Sequence, residues 1–184
     1  MNQMMLVDDE PHVLSALKRV VRTHFGATVK LETFTDPSQA LMRVREKAFD
    51  VVVSDYRMPQ MTGTAFLAGV RDCQPQAVRM ILSASTEVEV VMKAVNELEV
   101  FRYLSKPWQE DDLVQQLQAA LARATEGAKE RALADMARVS MGEMSPAERE
   151  RRLLEEQEPG LTHVEWGPQG EVIMPSLDAD LKAY

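Results

Sequence analysis

The chain has 184 residues, which is room for one compact domain of ordinary size and a short addition. Apolar side chains make up 45% of it and charged side chains 27%, and no apolar run reaches the roughly 18 residues of a membrane span. The formal net charge of −8 argues against nonspecific attraction to nucleic acid or to an anionic membrane. The first residues lack the pattern of an export signal, so we expect a cytoplasmic protein.

The first 122 residues alternate short apolar runs with segments of helical periodicity, which predicts a parallel sheet covered by helices on both faces. Strands are predicted at residues 4–7, 29–34, 51–54, 78–82 and 101–104. Helices are predicted at residues 11–21, 37–44, 65–71, 88–95 and 113–121. This alternation predicts an α/β fold with a doubly wound, flavodoxin-like sheet in the order 2-1-3-4-5. The single cysteine, Cys73, cannot close an internal disulfide and is expected to be a small buried or half-buried residue on a helix.

The remaining residues form a more acidic tail. Residues 123–144 either prolong the fifth helix or form a linker, and Gly127 weakens helical continuity by about 1 kcal/mol relative to alanine. Ser145, Pro146 and Glu148 form a capping box with a proline at the first helical position, which predicts a small helix. Alternating residues around a Gly- and Pro-rich loop at 167–170 then predict a β-hairpin. We therefore divide the chain into a domain at 1–122, a helical extension or linker at 123–144, and a helix-plus-hairpin tail at 145–184.

Acidic side chains follow two strands that neighbour each other in the predicted sheet. Asp8 and Asp9 come directly after the first strand, and Asp55 comes directly after the third. Ligand sites in such sheets lie at the carboxyl ends of the strands, where the strand order reverses. Paired aspartates alone often cap a helix or start a turn. Three carboxylates at one edge repel one another unless they are protonated or hold a cation, and oxygen-only ligation suits Mg²⁺.

Two further strand ends add a hydroxyl and a cation. Ser83 closes the fourth strand and Lys106 follows the fifth. Together with the carboxylates, these groups predict phosphoryl transfer onto an aspartate. Asp55 is the nucleophile, and Lys106 and Ser83 contact the product phosphate.

Four segments, in this order, carry a family resemblance: LVDDE (6–10), VSDYRMPQMTG (53–63), ILSAS (81–85) and YLSKPW (103–108). The chain resembles, over about residues 1–122, the receiver domain of bacterial two-component response regulators. The resemblance implies that Asp9 and Asp55 bind Mg²⁺ directly and that Asp8 binds it through water. It also implies that the backbone carbonyl of Arg57 completes the protein ligands.

The resemblance also implies a switch and two tuning positions. Ser83 would shift toward the phosphoryl group and Tyr103 would turn inward on activation, although Tyr103 could instead be a static edge residue. Arg57 and Ser85 match the positions that tune the lifetime of the phosphate. The Arg57 side chain would either shield the phosphoryl group or be solvated. The peptide bond between Lys106 and Pro107 resembles the family's cis peptide.

The expected output is protein contact. A sensor histidine kinase or phosphotransfer protein would phosphorylate the chain, which would catalyse only its own phosphorylation and dephosphorylation. The expected partner or homodimer surface lies on the fourth helix, fifth strand and fifth helix and is called the output face: Glu87, Glu89, Lys93, Glu97, Arg102, Tyr103 and Gln116. The alternative is a phosphate sink or relay with these charges merely solvated. A transcriptional role is disfavoured because the tail is short and acidic, so DNA and membranes are not expected partners.

Overall fold

The computed structural model describes residues 1–84 and 99–159, and beyond them only the backbone of two short strands at 165–166 and 172–173. Five parallel strands form one sheet in the order β2-β1-β3-β4-β5, which confirms the predicted topology. The strands are β1 (Asn2–Val7), β2 (Val29–Phe34), β3 (Val51–Asp55), β4 (Val78–Ala84) and β5 (Arg102–Lys106).

The central strands are buried on both faces, and their side chains alternate between two hydrophobic clusters. On β1, Met4 and Leu6 enter the cluster beneath the first helix, whereas Met5 and Val7 enter the other cluster. This follows from the two-residue period of a strand, and β-branched residues such as Val52 pack well on the pleated surface. Burial on both faces leaves the ends of the central strands as the places where polar side chains reach solvent.

Four helices cover the two faces of this sheet: α1 (Pro11–Phe25), α2 (Pro37–Glu46), α3 (Gly63–Cys73) and α4 (Glu110–Ser140). A further helix, α5 (Pro146–Gln157), packs on α4. The fourth predicted helix, at 88–95, lies outside the described residues, so the fifth predicted helix is α4. Side-chain oxygens start α2 and α3, since Asp36 accepts from the Ser38 N–H at 2.8 Å and Thr62 accepts from the Ala65 N–H at 3.2 Å. None of the described helices combines the length and the apolar character needed to cross a membrane.

The expected burial of Cys73 is wrong, because this residue is exposed at the end of α3. Gln74 continues the buried side of the helix instead. Its Oε1 accepts from the Phe49 N–H at 2.8 Å, and its Nε2 donates to the Lys47 carbonyl at 2.7 Å. A buried glutamine therefore satisfies the loop between α2 and β3, and the cysteine is left at the surface.

Helix α4 continues beyond the sheet and carries the helical hairpin of the tail. Its first half packs against the core through Leu113, Leu117 and Leu121, and it runs on through Gly127. The capping box at Ser145 starts α5 as predicted. The chain division at residue 122 falls inside α4 and stays a prediction.

A buried charge joins the two tail helices. Asp135 is buried on α4, and its Oδ1 accepts from Arg152 Nη1 of α5 at 3.2 Å and lies 3.7 Å from Arg138 Nη1. Farther along the chain, Glu165 pairs with Ile173 and Trp166 with Val172 in an antiparallel ladder, while the rest of the predicted hairpin lies outside the described residues.

Gly63 permits a close backbone approach at the start of α3. A Cβ atom at this position would lie 2.0 Å from the carbonyl oxygen of Asp55. The Gly63 N–H also donates to the Tyr56 carbonyl at 2.8 Å, which holds the loop after β3 against the helix. Only glycine fits this approach without moving the backbone that carries Asp55.

We expect Gly63→Ala to lower the free energy of unfolding by about 3 kcal/mol or more, because the added methyl group overlaps backbone rather than a flexible side chain. Gly127→Ala is the matched control, since its Cβ would meet only Arg131 Nη1 at 3.3 Å. That variant should gain about 1 kcal/mol from helix propensity. Urea unfolding followed by circular dichroism measures both, and equal effects of the two variants would contradict the assigned backbone contact.

Candidate functional site

Four polar side chains lie at the carboxyl ends of four neighbouring strands. Asp8 follows β1, Asp55 ends β3, Ser83 lies one residue before the end of β4, and Lys106 ends β5. Parallel pairing sets them side by side, with Asp55 opposite Leu82 and Ser83 opposite Ser105. The register of the sheet therefore gathers these residues from distant parts of the chain at one edge.

Lys106 bridges the two aspartates. Its Nζ lies 2.7 Å from Asp8 Oδ2 and 2.5 Å from Asp55 Oδ1. Asp8 is 1% exposed and Asp55 is 6% exposed, so both carboxylates are withdrawn from water. Such charge-assisted hydrogen bonds are stronger than neutral ones, and they fix where the two acidic oxygens point.

Backbone N–H groups hold the other oxygen of each carboxylate. The Glu10 N–H donates to Asp8 Oδ1 at 3.0 Å, and the Arg57 N–H donates to Asp55 Oδ2 at 2.6 Å. Each aspartate therefore has one oxygen toward Lys106 and one toward the loop after its strand. The nucleophile proposed from the sequence has little freedom to rotate, which favours a reaction that depends on positioning.

Burial and Lys106 have opposite effects on the pKa values of the two aspartates. Burial raises the pKa of Asp8 and of Asp55 above the usual aspartate value, although the hydrogen bonds to Lys106 act in the opposite direction. Burial lowers the pKa of Lys106, but the hydrogen bonds to Asp55 and Asp8 outweigh it and leave this pKa raised. One lysine charge faces two carboxylates, so the cluster favours a further cation when both are ionised.

The remaining predicted residues lie around this cluster. Asp9 is half-buried beside Asp8, and Arg57 is exposed beyond Asp55. Ser83 is buried, and the Tyr103 hydroxyl lies 3.3 Å from the carbonyl oxygens of both Ser83 and Ala84. The two proposed switch residues are thus joined directly through the backbone of β4.

Two other sequence expectations can be placed. The peptide bond between Lys106 and Pro107 is cis, as expected. Ser85, the second predicted tuning residue, lies outside the described residues. The cis bond directly follows the bridging lysine on the chain.

The donor chemistry at this edge fits Mg²⁺ in part. Asp8 and Asp55 supply carboxylate oxygens that already share one cation, and Mg²⁺ prefers oxygen ligands with room for water. In the ranges that the structure describes, no three acidic, histidine or cysteine side chains come together as a ligand cluster. Asp9, which is next to Asp8 in the chain, would complete the predicted set of Mg²⁺ ligands.

Sequence reasoning missed Glu10, although it stands in the segment that carries the acid pair. Its Oε1 lies 3.7 Å from Lys106 Nζ, and its N–H holds Asp8. The signal in the sequence is that Glu10 is the third acidic residue in a row, although acidic residues at this position also serve to cap a helix. Gly63 was missed as well, because its contact with Asp55 depends on the path of the loop and not on a local pattern.

The output face is described only in part. Arg102 is exposed, and Tyr103 and Gln116 are half-buried. All three line a depression of about 280 Å³ together with Trp108. Glu87, Glu89, Lys93 and Glu97 lie outside the described residues.

A family model described as the response regulator receiver domain matches residues 4–118. The chain belongs to this family. The matched residues comprise all five strands of the sheet apart from the first two residues of β1, and with them the whole carboxyl-end cluster. The resemblance read from four short segments is confirmed at the level of the receiver domain.

This chain is similar to one part of longer regulatory proteins. The hydrogenase transcriptional regulatory protein HoxA of Bradyrhizobium diazoefficiens is 35% identical over 117 residues, which cover 64% of this chain and 23% of HoxA. The transcriptional regulatory protein ZraR of Salmonella typhimurium is 34% identical over 143 residues, which cover 78% of this chain and 32% of ZraR. This chain therefore matches about a quarter to a third of the length of these relatives.

Solved receiver structures give the same fold. The signal receiver domain of an HD domain-containing protein from Pseudomonas fluorescens is 30% identical, with a TM-score of 0.64. The match covers 70% of this chain and 92% of that structure. A separately solved receiver domain is thus matched over most of its length.

We expect Lys106→Met to lower the free energy of unfolding by about 1–3 kcal/mol at pH 7 in EDTA, because two buried carboxylates lose their shared cation. Adding Mg²⁺ should raise the Tm of this variant more than that of the wild type, since the bared carboxylates gain a cation that binds the folded state.

The matched control for this change is Lys47→Met. Lys47 Nζ contacts Glu32 Oε1 at 2.6 Å, beyond α2 and away from the carboxyl-end cluster. Thermal unfolding with and without Mg²⁺ should show no added Mg²⁺ effect in this variant. An equal response of both lysine variants to Mg²⁺ would contradict a cation site at Asp8 and Asp55.

Proposed function

We propose that the chain accepts a phosphoryl group on Asp55 and transmits that event as a response regulator. The observation that carries the proposal is the contact of Lys106 Nζ with Asp55 Oδ1 and Asp8 Oδ2 at the carboxyl edge of a receiver sheet. This contact gives one buried aspartate a neighbouring cation and a second acid. Those are the groups that phosphoryl transfer onto a carboxylate needs.

The reaction follows from this arrangement. A carboxylate oxygen of Asp55 forms a bond to phosphorus while the bond between phosphorus and the donor's leaving group breaks. Lys106 and Ser83 then contact the transferred phosphoryl oxygens, and positioning with electrostatic stabilisation supplies most of the acceleration. Asp9, Asp55 and the backbone carbonyl of Arg57 would hold Mg²⁺ directly and Asp8 would hold it through water, and the ion would supply further charge neutralisation.

The phosphoryl group would act on the output face through β4 and β5. Phosphorylation adds roughly −2 charge and strong acceptor oxygens beside Ser83. Tyr103 reaches the carbonyls of Ser83 and Ala84, so a shift of this part of β4 changes the contacts of an output-face residue. Phosphate acceptance and the rearrangement of that face are thereby linked.

Protein contact is the output that we propose, with a sensor histidine kinase or a phosphotransfer protein in the cytoplasm as the source of phosphate. HoxA and ZraR are transcriptional regulatory proteins, but the matched residues make up only 23% and 32% of those proteins. The net charge of −8 disfavours DNA as a direct partner of this chain. A sink or relay without further output is the alternative within the same chemistry.

We expect incubation with an acyl phosphate and Mg²⁺ to add one phosphoryl group to the wild type and none to Asp55→Asn, because the amide lacks the nucleophilic oxygen. Intact-mass spectrometry measures the gain. Asp72→Asn is the matched control, since its side chain is 72% exposed at the end of α3 and it should be phosphorylated like the wild type. Phosphorylation that persists in Asp55→Asn would show that another residue accepts the group.

Arg57→Asn tests the proposed tuning of the phosphate lifetime. The Arg57 N–H already contacts Asp55, so the side chain of this residue starts next to the acceptor. If the guanidinium shields the phosphoryl group, its replacement should raise the rate of dephosphorylation. The decay of phosphorylated protein, measured by intact mass after removal of the donor, gives this rate, and an unchanged rate would show that the side chain does not tune the phosphate lifetime.

A further inference from the structure

A regular stripe of side chains runs along the outer side of α4. The inner side of this helix carries Leu117, Ala124 and Asp135, which are buried against the sheet and α5. Residues on the opposite side recur at spacings of three and four, which is the period of a coiled-coil seam. We call them the outer stripe: Ala119, Ala122, Glu126, Lys129, Leu133 and Met136. Phosphoryl transfer at Asp55 uses none of them.

The apolar part of the outer stripe lies in water. Leu133 is 66% exposed and Met136 is 52% exposed. Ala122 is exposed as well, and Ala119 is half-buried. Isolated apolar residues on a surface are ordinary, but a line of them along one helix marks an interaction surface.

Two opposite charges interrupt the apolar residues in the middle of the outer stripe. Glu126 and Lys129 are both exposed. In a parallel pair of α4 helices, each position meets the same position of the second copy, so glutamate would face glutamate and lysine would face lysine. Like charges that face each other are destabilising. The order of the charges therefore disfavours a parallel pair.

An antiparallel pair brings the opposite charges together. When the two-fold axis passes between residues 127 and 128, Glu126 faces Lys129 of the second copy, and by symmetry Lys129 faces Glu126. Polar residues inside an apolar seam fix the register of a coiled coil, because another register places them opposite apolar side chains. The two charges thus select one orientation and one register.

The register selected by the charges also matches the apolar side chains by size. Leu133 then lies against Ala122 of the second copy, and Met136 lies against Ala119. A large side chain meets a small one in every apolar layer, which is the pattern of interdigitating helices. From Ala119 to Met136 the matched surface spans about 26 Å of helix.

Charges beside the outer stripe fit the same arrangement. Arg123 Nη1 lies 3.9 Å from Glu130 Oε2 of its own chain, and these side chains are 53% and 66% exposed. An exposed pair of this kind contributes little to stability. In the antiparallel register, Arg123 lies beside Glu130 of the second copy and Glu130 lies beside Arg123. Each of these charges therefore gains an opposite charge across the seam.

We propose that the outer stripe of α4 joins two copies of this chain into an antiparallel dimer. The first half of α4 lies on the sheet and the second half extends beyond it, so each receiver sheet lies beside the tail half of the other copy's helix. This surface differs from the output face, whose residues Arg102 and Tyr103 lie on β5. The dimer goes beyond phosphoryl transfer and does not depend on it.

Sedimentation velocity of the full chain over a range of concentrations tests the dimer. We expect the wild type to dimerise, and Lys129→Glu to weaken dimerisation by about tenfold or more because both contacts between opposite charges become repulsive. Adding Glu126→Lys to this variant exchanges the two charges and should restore the affinity of the wild type. Circular dichroism and urea unfolding confirm that each variant is folded.

The matched control for the charge change is Lys30→Glu. Lys30 is exposed on β2, at the far edge of the sheet from β5, so this variant should dimerise like the wild type. The proposal is overturned if the wild type stays monomeric, if Lys129→Glu dimerises unchanged, or if the charge exchange fails to restore the dimer. Equal weakening in Lys30→Glu would overturn it too, because net charge alone would then explain the effect.

Cysteine cross-linking tests the orientation of the two helices. The exposed Cys73 is first replaced by serine, and Ala122→Cys or Leu133→Cys is then introduced into separate proteins. A disulfide between copies should form only when the two proteins are mixed, because the antiparallel register brings these two positions together. Identical positions of the two copies lie about 16 Å apart along the helix, which is too far for a disulfide. Cross-links within either protein alone would indicate a parallel pair and overturn the proposal.

Discussion

Two buried carboxylates that share one lysine are the constraint on which the receiver site depends. Asp8 follows β1 and Asp55 ends the neighbouring strand β3, and both carboxylates are buried. Removing ions from water costs several kcal/mol unless good geometry offsets it. Lys106 provides that geometry only if β5 lies beyond β4 in the order observed, so the chemistry of the site and the topology of the sheet require each other.

The sequence predicts this fold well because its signals are strong and local. Each of β1 and β3 contains an unbroken apolar run, at residues 4–7 and 51–53, which is typical of strands covered on both faces. Proline and capping oxygens start α2 and α5. The strand ends then locate Asp8, Asp55, Ser83 and Lys106 at one edge without any knowledge of side-chain positions. Parallel strands in a known order leave little freedom at their carboxyl ends.

Other features could not be predicted, because they depend on contacts between distant segments. No local pattern distinguishes Gln74, which is buried and satisfies a loop 25 residues away, from the exposed Cys73 beside it. The pairing of Asp135 with Arg152 requires the turn between α4 and α5, and the approach of Gly63 to Asp55 requires the path of the loop after β3. Periodicity assigns residues to faces of elements, but partner choice among polar residues is a tertiary property.

Strand β4 connects the two polar ends of the domain. Arg79 lies near its start and Ser83 near its end, four residues apart, which is about 13 Å along a strand. The residues between them are buried and cannot shift freely, because a close-packed core transmits strain and does not absorb it. A shift of Ser83 toward a phosphoryl group would therefore be transmitted along this segment toward Arg79, whose Nη1 donates to the carbonyls of Pro75 and Ala77 at the start of the strand.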